Sequence, residues 1–374
     1  MLTQYPTKHT NRQSRHTWSA YLASALVVLL AVLLTACSAG TANTASNTPT
    51  PPPTATINPT LQKQGDMELQ TYQQWIALMQ QYNGNTSSYQ QQYTADQQAL
   101  QSARNETAYK AALAKLQAQV DAIKIPAMKT EANALLQQLK QGAATFGHSH
   151  TYTDTYNNTT YPLGFEYGTN GIAGWAAQEL SQAQTLSDFQ QTIEDLNMYL
   201  TNFQAMLTNI TDKTPASQVH QTDIQLLQHY GYMNNKVVVV SLEEQAARIY
   251  QNGKLVNAFL VTTGRPDKPT PPGTWWIEVK KSPDVFKANV PQSSPYWYPD
   301  TPINYAMLYH SNGYYLHDSW WRNDYGFGTQ FPHLDSSGDS FSSQGSHGCV
   351  NISKANAAWL YSFVTQISTK VMIY

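Results

Sequence analysis

Apolar residues recur every three or four positions through the first half of the chain. Over residues 61–139 this spacing is typical of amphipathic helices, and Pro126 is predicted to separate two of them. Gly, Pro, Thr, Asn and Tyr interrupt the pattern over 142–171, which indicates a long loop or a small irregular element. Helical spacing returns over 172–210, and one more short helix is predicted at 224–230.

These stripes predict an α-helical bundle over residues 61–230 whose apolar faces form its core. His148 and His150 lie two positions apart in the interrupted stretch, with no acidic or Cys partner nearby. They are interpreted as surface histidines rather than metal ligands. Nothing in this half indicates an activity, so a spacer, a binding module and a platform for a partner are all open.

The last third of the chain changes to short apolar runs bounded by turn residues. A strand-like run over 236–249 is followed by Asn252-Gly253, a two-residue hairpin signal, and by a return strand at 255–261. A Pro-rich loop follows, then a second hairpin signal at Ser311-Asn312-Gly313. The pattern predicts an antiparallel β domain over 236–374 that ends in a helix, with Ser353 as its N-cap, and a final strand.

The fold class predicted for the whole chain is therefore α+β multidomain, an N-terminal helical bundle followed by a mainly-β domain. Only 12% of the residues are charged and the formal net charge is −2, which argues against a nucleic-acid-binding protein. Polarity comes instead from Gln, Thr, Ser, Asn and 24 Tyr. With no cluster of metal-ligand spacing and no Gly-rich phosphate loop, we expect neither a metal nor a nucleotide cofactor.

The front of the chain has the pattern of a targeting segment. Residues 1–36 contain a basic stretch and an apolar stretch, and they end in Leu34-Thr35-Ala36-Cys37, which resembles the lipobox of bacterial lipoproteins. This resemblance implies lipidation of Cys37 and attachment to a membrane through its acyl chains. An uncleaved membrane anchor is the alternative, and both place the rest of the chain outside the cytoplasm. Residues 37–60 are Thr/Pro-rich and predict an extended linker.

Candidate chemistry is concentrated near the carboxyl end. The chain has two Cys, so lipidation of Cys37 would leave Cys349 as a lone thiol. An imidazole beside a thiol activates it as a nucleophile, and in an extended segment His347 and Cys349 would share one face. Gly348 between them would let a substrate carbonyl approach the backbone. The alternative is that Cys349 is a small buried hydrophobe, but the neighbouring small polar residues indicate an exposed loop.

The string Ser346-His347-Gly348-Cys349-Val350-Asn351 resembles the signature of the L,D-transpeptidase (YkuD-like) catalytic domain, Ser/Thr-His-Gly-Cys-x-Arg/Asn. The resemblance extends over 236–374. It implies that Cys349 attacks an L,D-peptide bond of a peptidoglycan stem peptide and forms a thioester, with His347 as general base. Backbone N–H groups at Gly348 and Cys349 would stabilise the oxyanion, and Ser346 and Asn351 would hold the loop and the imidazole by hydrogen bonds.

The family carries a second histidine at the end of a strand before this string, and His317 maps to it. Its implied role is to line the site and help to position substrate or oxyanion. The stretch between His317 and Ser346 is longer than usual and aromatic, so the insertion 318–345 could cover the site as a lid. His333 lies within it and is the alternative second histidine.

The resemblance predicts a cysteine-dependent acyltransferase that cross-links wall peptides. It would act as a monomer at the outer face of the membrane. Two alternatives stay open: an L,D-carboxypeptidase that uses the same thiol with water as acceptor, and a non-catalytic wall-binding lipoprotein. Asn351 stands where many family members have Arg, so we expect weaker recognition of an anionic group at that position.

Overall fold

The computed structural model describes residues 57–294 and 297–374, in which a helical region precedes a β-rich region, as predicted. Cys37, residues 1–36 and most of the predicted linker lie outside the described residues. Within the described ranges, no helix combines the length and the apolar character that a membrane span needs. The helices are α1 (Pro59–Gln81), α2 (Ser87–Ser102), α3 (Glu106–Ser149), α4 (Ile172–Gln182), α5 (Leu186–Asn209), α6 (Gln221–His229) and α7 (Lys354–Phe363).

Helix α3 is continuous, so the prediction that Pro126 separates two helices is wrong. Proline inside a helix costs about 3 kcal/mol, because it removes one hydrogen bond and crowds the preceding turn. Ile123 and Ala127, on either side of Pro126, are completely buried, and packing along the helix offsets this cost. The helix also continues to Ser149, into the stretch predicted as a loop, and His148 is exposed in its last turn.

Two short elements connect the long helices. Strands β1 (Thr151–Thr153) and β2 (Thr160–Pro162) pair as an antiparallel hairpin that the sequence pattern did not resolve. The helical pattern over 172–210 corresponds to two helices, α4 and α5. They are divided just before Thr185, whose side chain accepts a hydrogen bond from the backbone N–H of Asp188 and caps α5.

Two sheets form most of the β-rich region, in the strand orders β5-β4-β3-β13-β6 and β12-β11-β10-β7. The pairs β13–β3 and β12–β11 are parallel, so the region is mixed rather than purely antiparallel. The strands are β3 (Lys236–Ser241), β4 (Ala246–Gln251), β5 (Lys254–Leu260), β6 (Gly273–Trp276), β7 (Val279–Lys281), β8 (Asp284–Phe286), β9 (Thr301–Ile303), β10 (Ala306–His310), β11 (Tyr314–Asp318), β12 (Val350–Ile352) and β13 (Lys370–Ile373).

The turn chemistry in the sequence predicts the hairpins well. Asn252 and Gly253 both have positive φ, 51° and 71°, as the predicted type I′ turn between β4 and β5 requires. Gly313 likewise has positive φ, at the turn between β10 and β11. Ser353 caps α7 by accepting a hydrogen bond from the N–H of Asn356 at 3.4 Å. The last strand, β13, lies inside the five-stranded sheet, where it pairs with both β3 and β6.

The described residues contain two large hydrophobic cores. One is formed by α1, α2 and the first half of α3. The other joins the second half of α3 and helices α4 to α6 with both sheets, and so crosses the predicted boundary between helical and β regions. Polar contacts cross it too: Asn202 of α5 donates to the backbone oxygen of Ile373 at 2.9 Å. Arg248 of β4 forms a buried ion pair with Asp223 of α6. The β-rich region is thus packed directly on helices.

Candidate active site

Cys349 directly precedes β12, the edge strand of the four-stranded sheet, and faces a cleft of about 570 Å³. The sequence-predicted residues His317, Ser346, His347 and Asn351 contribute to the same cleft, and Gly348 lies within the loop beside it. The cleft is lined by, among others, Arg265, Lys281, Asp284, Lys287, Tyr298, Gly313, Tyr315, His317, Trp321, Arg322, Phe341, Gln344, Ser346, His347, Cys349 and Asn351.

Backbone hydrogen bonds hold the Cys349 loop against the segment that follows β5. The N–H of Ser346 donates to the oxygen of Thr263 at 2.9 Å, and the N–H of Asn351 donates to the oxygen of Thr262 at 2.8 Å. From the Pro-rich loop, the hydroxyl of Thr270 donates to the oxygen of Gly348 at 2.8 Å. The loop that carries Cys349 is therefore fixed on both sides.

The loop itself is bent rather than extended, because Gly348 has φ +109° and the strand begins only at Val350. The expectation that an extended segment places His347 and Cys349 on one strand face is therefore wrong. Only glycine adopts this backbone conformation readily. A Cβ at position 348 would also lie 2.5 Å from Cε1 of Tyr314, so both conformation and space require glycine here.

The hydroxyl of Ser346 stabilises this bend by two hydrogen bonds within the loop. Its hydroxyl donates to the oxygen of Cys349 and accepts a hydrogen bond from the N–H of Gly348 at 3.0 Å. The sequence assigned Ser346 a loop-holding role, which agrees with these contacts. The N–H of Gly348, predicted to face an oxyanion, is bonded to Ser346 in this structure.

The thiol of Cys349 is protonated at neutral pH. The side chain is half-buried, and its Sγ donates a long hydrogen bond of 3.8 Å to the oxygen of Gly313. Burial raises the pKa of the thiol to about 11, against a smaller lowering by the backbone N–H of Tyr315. For this sulfur to act as a nucleophile, a neighbouring base would be needed to remove its proton.

His347 is a neutral imidazole on the cleft wall. Burial, together with the positive charges of Lys268 and Arg265, lowers its pKa to about 4. Its ring lies 5.8 Å from the ring of Tyr298 and 6.2 Å from that of Phe341, between centroids. Within residues 57–294 and 297–374, its nitrogens have no hydrogen-bond partner, so no contact orients this imidazole toward the sulfur.

His317 is the more firmly oriented imidazole. It lies on β11 opposite Asn351 of β12, and its side chain is only 4% exposed. Nδ1 lies 2.8 Å from the backbone oxygen of Asp318, which can only accept, so Nδ1 carries a proton. Nε2 then accepts from the amide of Asn351 at 3.0 Å. Burial lowers the pKa of His317 to about 4, so the ring is neutral and Nε2 has a basic lone pair.

The alternation of side chains along the two strands places His317 on the same side of the sheet as Cys349. Leu316 pairs with Val350 and His317 with Asn351 in the parallel register. Continuing the register by one residue sets Tyr315 beside Cys349, and Tyr315, His317, Cys349 and Asn351 all line the cleft. The sequence assigned Asn351 to hold an imidazole, and the imidazole it holds is that of His317.

The insertion 318–345 forms one wall of the cleft and is anchored in the helical region. Phe331 is completely buried, and its ring stacks on Tyr152 of β1 at 4.8 Å and on Tyr161 of β2 at 5.0 Å. His333, the alternative second histidine, does not line the cleft, and its Nδ1 bonds the oxygen of Phe331. Trp321, Arg322 and Phe341 do line it, and no spacing in the sequence singled them out.

Comparisons with known proteins agree with the resemblance. Residues 235–373 match the family model YkuD, described as the L,D-transpeptidase catalytic domain. L,D-transpeptidase 1 of Mycobacterium tuberculosis is 28% identical over 134 residues, which cover 34% of this chain and 46% of that protein. The chain thus spans about half the length of this curated relative.

Two solved structures are also similar to parts of the chain. A mutant L,D-transpeptidase of Enterococcus faecium is 28% identical, covers 37% of this chain and 50% of its own, and has a TM-score of 0.31. An L,D-transpeptidase from Mycobacterium smegmatis is 24% identical, covers 37% of this chain and 58% of its own, and has a TM-score of 0.30.

Proposed function

Because residues 235–373 form a YkuD-type L,D-transpeptidase catalytic domain, we propose that this chain cross-links peptidoglycan stem peptides through a thioester on Cys349. The observation that carries the proposal is a protonated thiol on the wall of a cleft that also contains two neutral imidazoles. A neutral imidazole can accept the proton of a neutral thiol, as base-assisted acyl transfer requires.

The sequence assigned the base to His347, but the geometry supports His317 better. The oxygen of Asp318 fixes the His317 ring through Nδ1, so a proton accepted at Nε2 gives an imidazolium that is already oriented and partly stabilised. His347 has no comparable support among the described residues. We assign the general base to His317, and to His347 a role in lining the cleft beside the substrate.

Acylation then proceeds with balanced proton and bond changes. The Cys349 sulfur attacks the carbonyl of the L,D-peptide bond while its proton passes to Nε2 of His317, from which the Asn351 N–H has to withdraw in the same step. The C–N bond breaks, and the leaving D-amino acid takes that proton on its amine. An amine of a second stem peptide attacks the thioester and gives up a proton to Nε2, and the C–S bond breaks to release the cross-linked product and restore the thiol.

Backbone N–H groups at Gly348 and Cys349 are the proposed oxyanion donors, each worth about 3 kcal/mol in the transition state. The N–H of Gly348 donates to the hydroxyl oxygen of Ser346 in this structure, so that oxygen would have to move away before this N–H could bind an oxyanion. The same hydroxyl donates to the oxygen of Cys349, so both contacts of Ser346 would change together.

The test of the nucleophile is the intact mass of the protein after exposure to a carbapenem-type β-lactam, an acylating compound that the family resemblance suggests. The unmodified chain should gain one adduct, and Cys349→Ala should gain none. The only other cysteine is Cys37, so Cys37→Ala is the matched control and should still gain the adduct. An adduct of equal amount on Cys349→Ala contradicts the assignment and favours a non-catalytic wall-binding protein.

Hydrolysis by the same thiol is the alternative activity. It would make the chain an L,D-carboxypeptidase, with water resolving the thioester. Incubation with purified stem peptides separates the two, because transfer gives cross-linked dimers whereas hydrolysis releases the D-amino acid without them. Dimers with the unmodified chain and none with Cys349→Ala would support transpeptidation.

We further propose that the protein is a monomer that acts outside the cytoplasm, anchored through acyl chains on Cys37. The support is the lipobox-like Leu34-Thr35-Ala36-Cys37 and the wall-located substrate of the domain. Metabolic labelling with a radioactive fatty acid tests the anchor, and a mature protein without label would contradict it.

A further inference from the structure

Arg322 is a buried cation in the wall of the cleft with most of its hydrogen-bonding capacity unused. It is 4% exposed and lies in the insertion 318–345. One nitrogen, Nη2, donates to the backbone oxygen of Gln344 at 2.9 Å. Nε and Nη1 are shielded from solvent and have no partner among residues 57–294 and 297–374. A buried guanidinium with so few acceptors is costly, so its position in a cleft wall points to an acceptor supplied by a ligand.

The carboxylates of Asp324 and Asp335, both in the insertion, do not form an ion pair with Arg322. Asp335 accepts from the backbone N–H groups of Asn323, Asp324 and Ser337, between 2.8 and 3.1 Å. Asp324 accepts from the N–H and the hydroxyl of Ser336, both at 2.7 Å. These carboxylates are bonded within turns of the insertion. Their charges favour the guanidinium at longer range, but neither forms an ion pair with it.

Arg322 also differs from the other cations that line the cleft. Arg265 pairs with Asp267 at 2.8 Å, Lys281 with Asp284 at 3.4 Å and Lys287 with Asp300 at 2.9 Å. Among the described residues, Arg322 is the lining cation that has no carboxylate within 4 Å. Of the described cations that line the cleft, Arg322 can therefore bind an anionic ligand without first breaking an ion pair.

We propose that Arg322 binds a carboxylate of the donor peptide and so makes the cleft selective for peptides with a free acid. The peptide identity of the ligand rests on the function proposed above. The leaving D-amino acid carries a carboxylate one residue beyond the attacked carbonyl, and other residues of a stem peptide can carry a second. A guanidinium suits either, because its planar N–H donors match carboxylate oxygens.

Nε and Nη1 of Arg322 are shielded from solvent, so a carboxylate can reach them only if part of the cleft wall shifts. Trp321, the neighbour of Arg322 in sequence, is buried, whereas Phe341 on the same wall is 43% exposed.

The experiment measures binding rather than turnover. Calorimetry on full-length Cys349→Ala compares a stem tetrapeptide with its C-terminal amide and with an analogue whose other carboxyl groups are amidated. The free acid should bind about 10- to 100-fold more tightly than the analogue that lacks the recognised carboxylate, as for a charge-assisted hydrogen bond. The analogue that binds more weakly than the free acid shows, by the position of its amide, which carboxylate Arg322 contacts.

The decisive variant is Cys349→Ala with Arg322→Gln, in which the preference for the free acid should fall to within about twofold. Cys349→Ala with Lys287→Gln removes an ion-paired, exposed cation of the same cleft and should keep the preference. Because each preference is a ratio of two dissociation constants on one variant, a partly unfolded preparation does not create or remove it.

A preference that persists without Arg322, or none in Cys349→Ala, overturns the proposal. The β-lactam adduct on Cys349 is measured separately, so a failure of the carboxylate site is distinguishable from a failure of the acyl-transfer function.

Discussion

The side chains of Asn351 and His317 are joined across the parallel strands β12 and β11 by a hydrogen bond of 3.0 Å. The amide N–H of Asn351 occupies the basic nitrogen of His317, while the amide oxygen, Oδ1, has no partner. When Nε2 takes a proton it becomes a donor, and rotation of the amide would then present Oδ1 to it. Asn351 can thus position the neutral imidazole before proton transfer and stabilise the imidazolium after it.

We predict that His317→Gln slows acylation of Cys349 by about 10²- to 10⁴-fold, the range expected for loss of a general base. His347→Gln should slow it less than about tenfold, because no described contact orients that imidazole toward the sulfur. Stopped-flow fluorescence or quenched intact-mass sampling with a β-lactam measures both rates. If His347→Gln slows acylation more than His317→Gln does, His347 is the general base.

The pH dependence of acylation should reflect the low pKa of the base. The active form is the neutral imidazole, which is present above its pKa, and burial lowers the pKa of His317 to about 4. The acylation rate should therefore stay constant down to about pH 5 and fall below about pH 4. An unperturbed imidazole would instead lose activity near pH 6.5. A midpoint at that pH in the unmodified chain contradicts the buried, neutral base.

Glu243 should make the fold less stable as the pH rises. It is buried, and its Oε1 accepts from the N–H of Gly164 at 2.9 Å. Burial raises its pKa to about 7, and burial with repulsion from Glu243 raises that of buried Glu166. The folded state thus retains protons that the unfolded chain releases, so stability is full below about pH 4.5 and falls as the pH rises through about 7.

Replacing Glu243 by Gln keeps the acceptor for Gly164 and removes the charge. We predict that Glu243→Gln raises the free energy of unfolding at pH 8 by about 2 kcal/mol and has little effect at pH 5. Thermal unfolding at both values measures this, with the exposed Glu106→Gln as control. Equal effects at the two pH values would contradict the prediction, because they would show that Glu243 has the same pKa in the folded and unfolded chain.

Local patterns predicted much of the fold because the structures they indicate depend on nearby residues. The Asn252-Gly253 turn, the cap at Ser353 and helix α6 follow from such short-range rules, and the structure contains all three. The pattern wrongly predicted a break at Pro126. The free-energy cost of a proline within a helix is set by its neighbours, whereas the packing that offsets this cost involves residues distant in sequence. The central position of β13 also depends on pairing between opposite ends of the β-rich region.

In the candidate site, too, short-range features could be predicted from the sequence and long-range contacts could not. The hexapeptide around Cys349 predicted the loop and the proposed nucleophile, because those residues are adjacent in sequence. The bend at Gly348 and the bond between Asn351 and His317 arise from tertiary contacts that no spacing reports. Arg322 could not be predicted for a related reason: Nε and Nη1 lack partners among the described residues, and this is visible only when their surroundings are known.

The unbroken helix α3 fixes the distance between the start of α1 and the β-rich region. The hydroxyl of Tyr109, near the start of α3, donates to the oxygen of Gln62, so α1 begins beside the end of α3 that is remote from the sheets. From Tyr109 to Phe146, in the core shared with the sheets, α3 extends about 55 Å at 1.5 Å per residue. The distance from the start of α1 to the cleft therefore depends on the length of α3. Each residue added to or removed from α3 would change that distance by about 1.5 Å and rotate the cleft by about 100° about the helix axis.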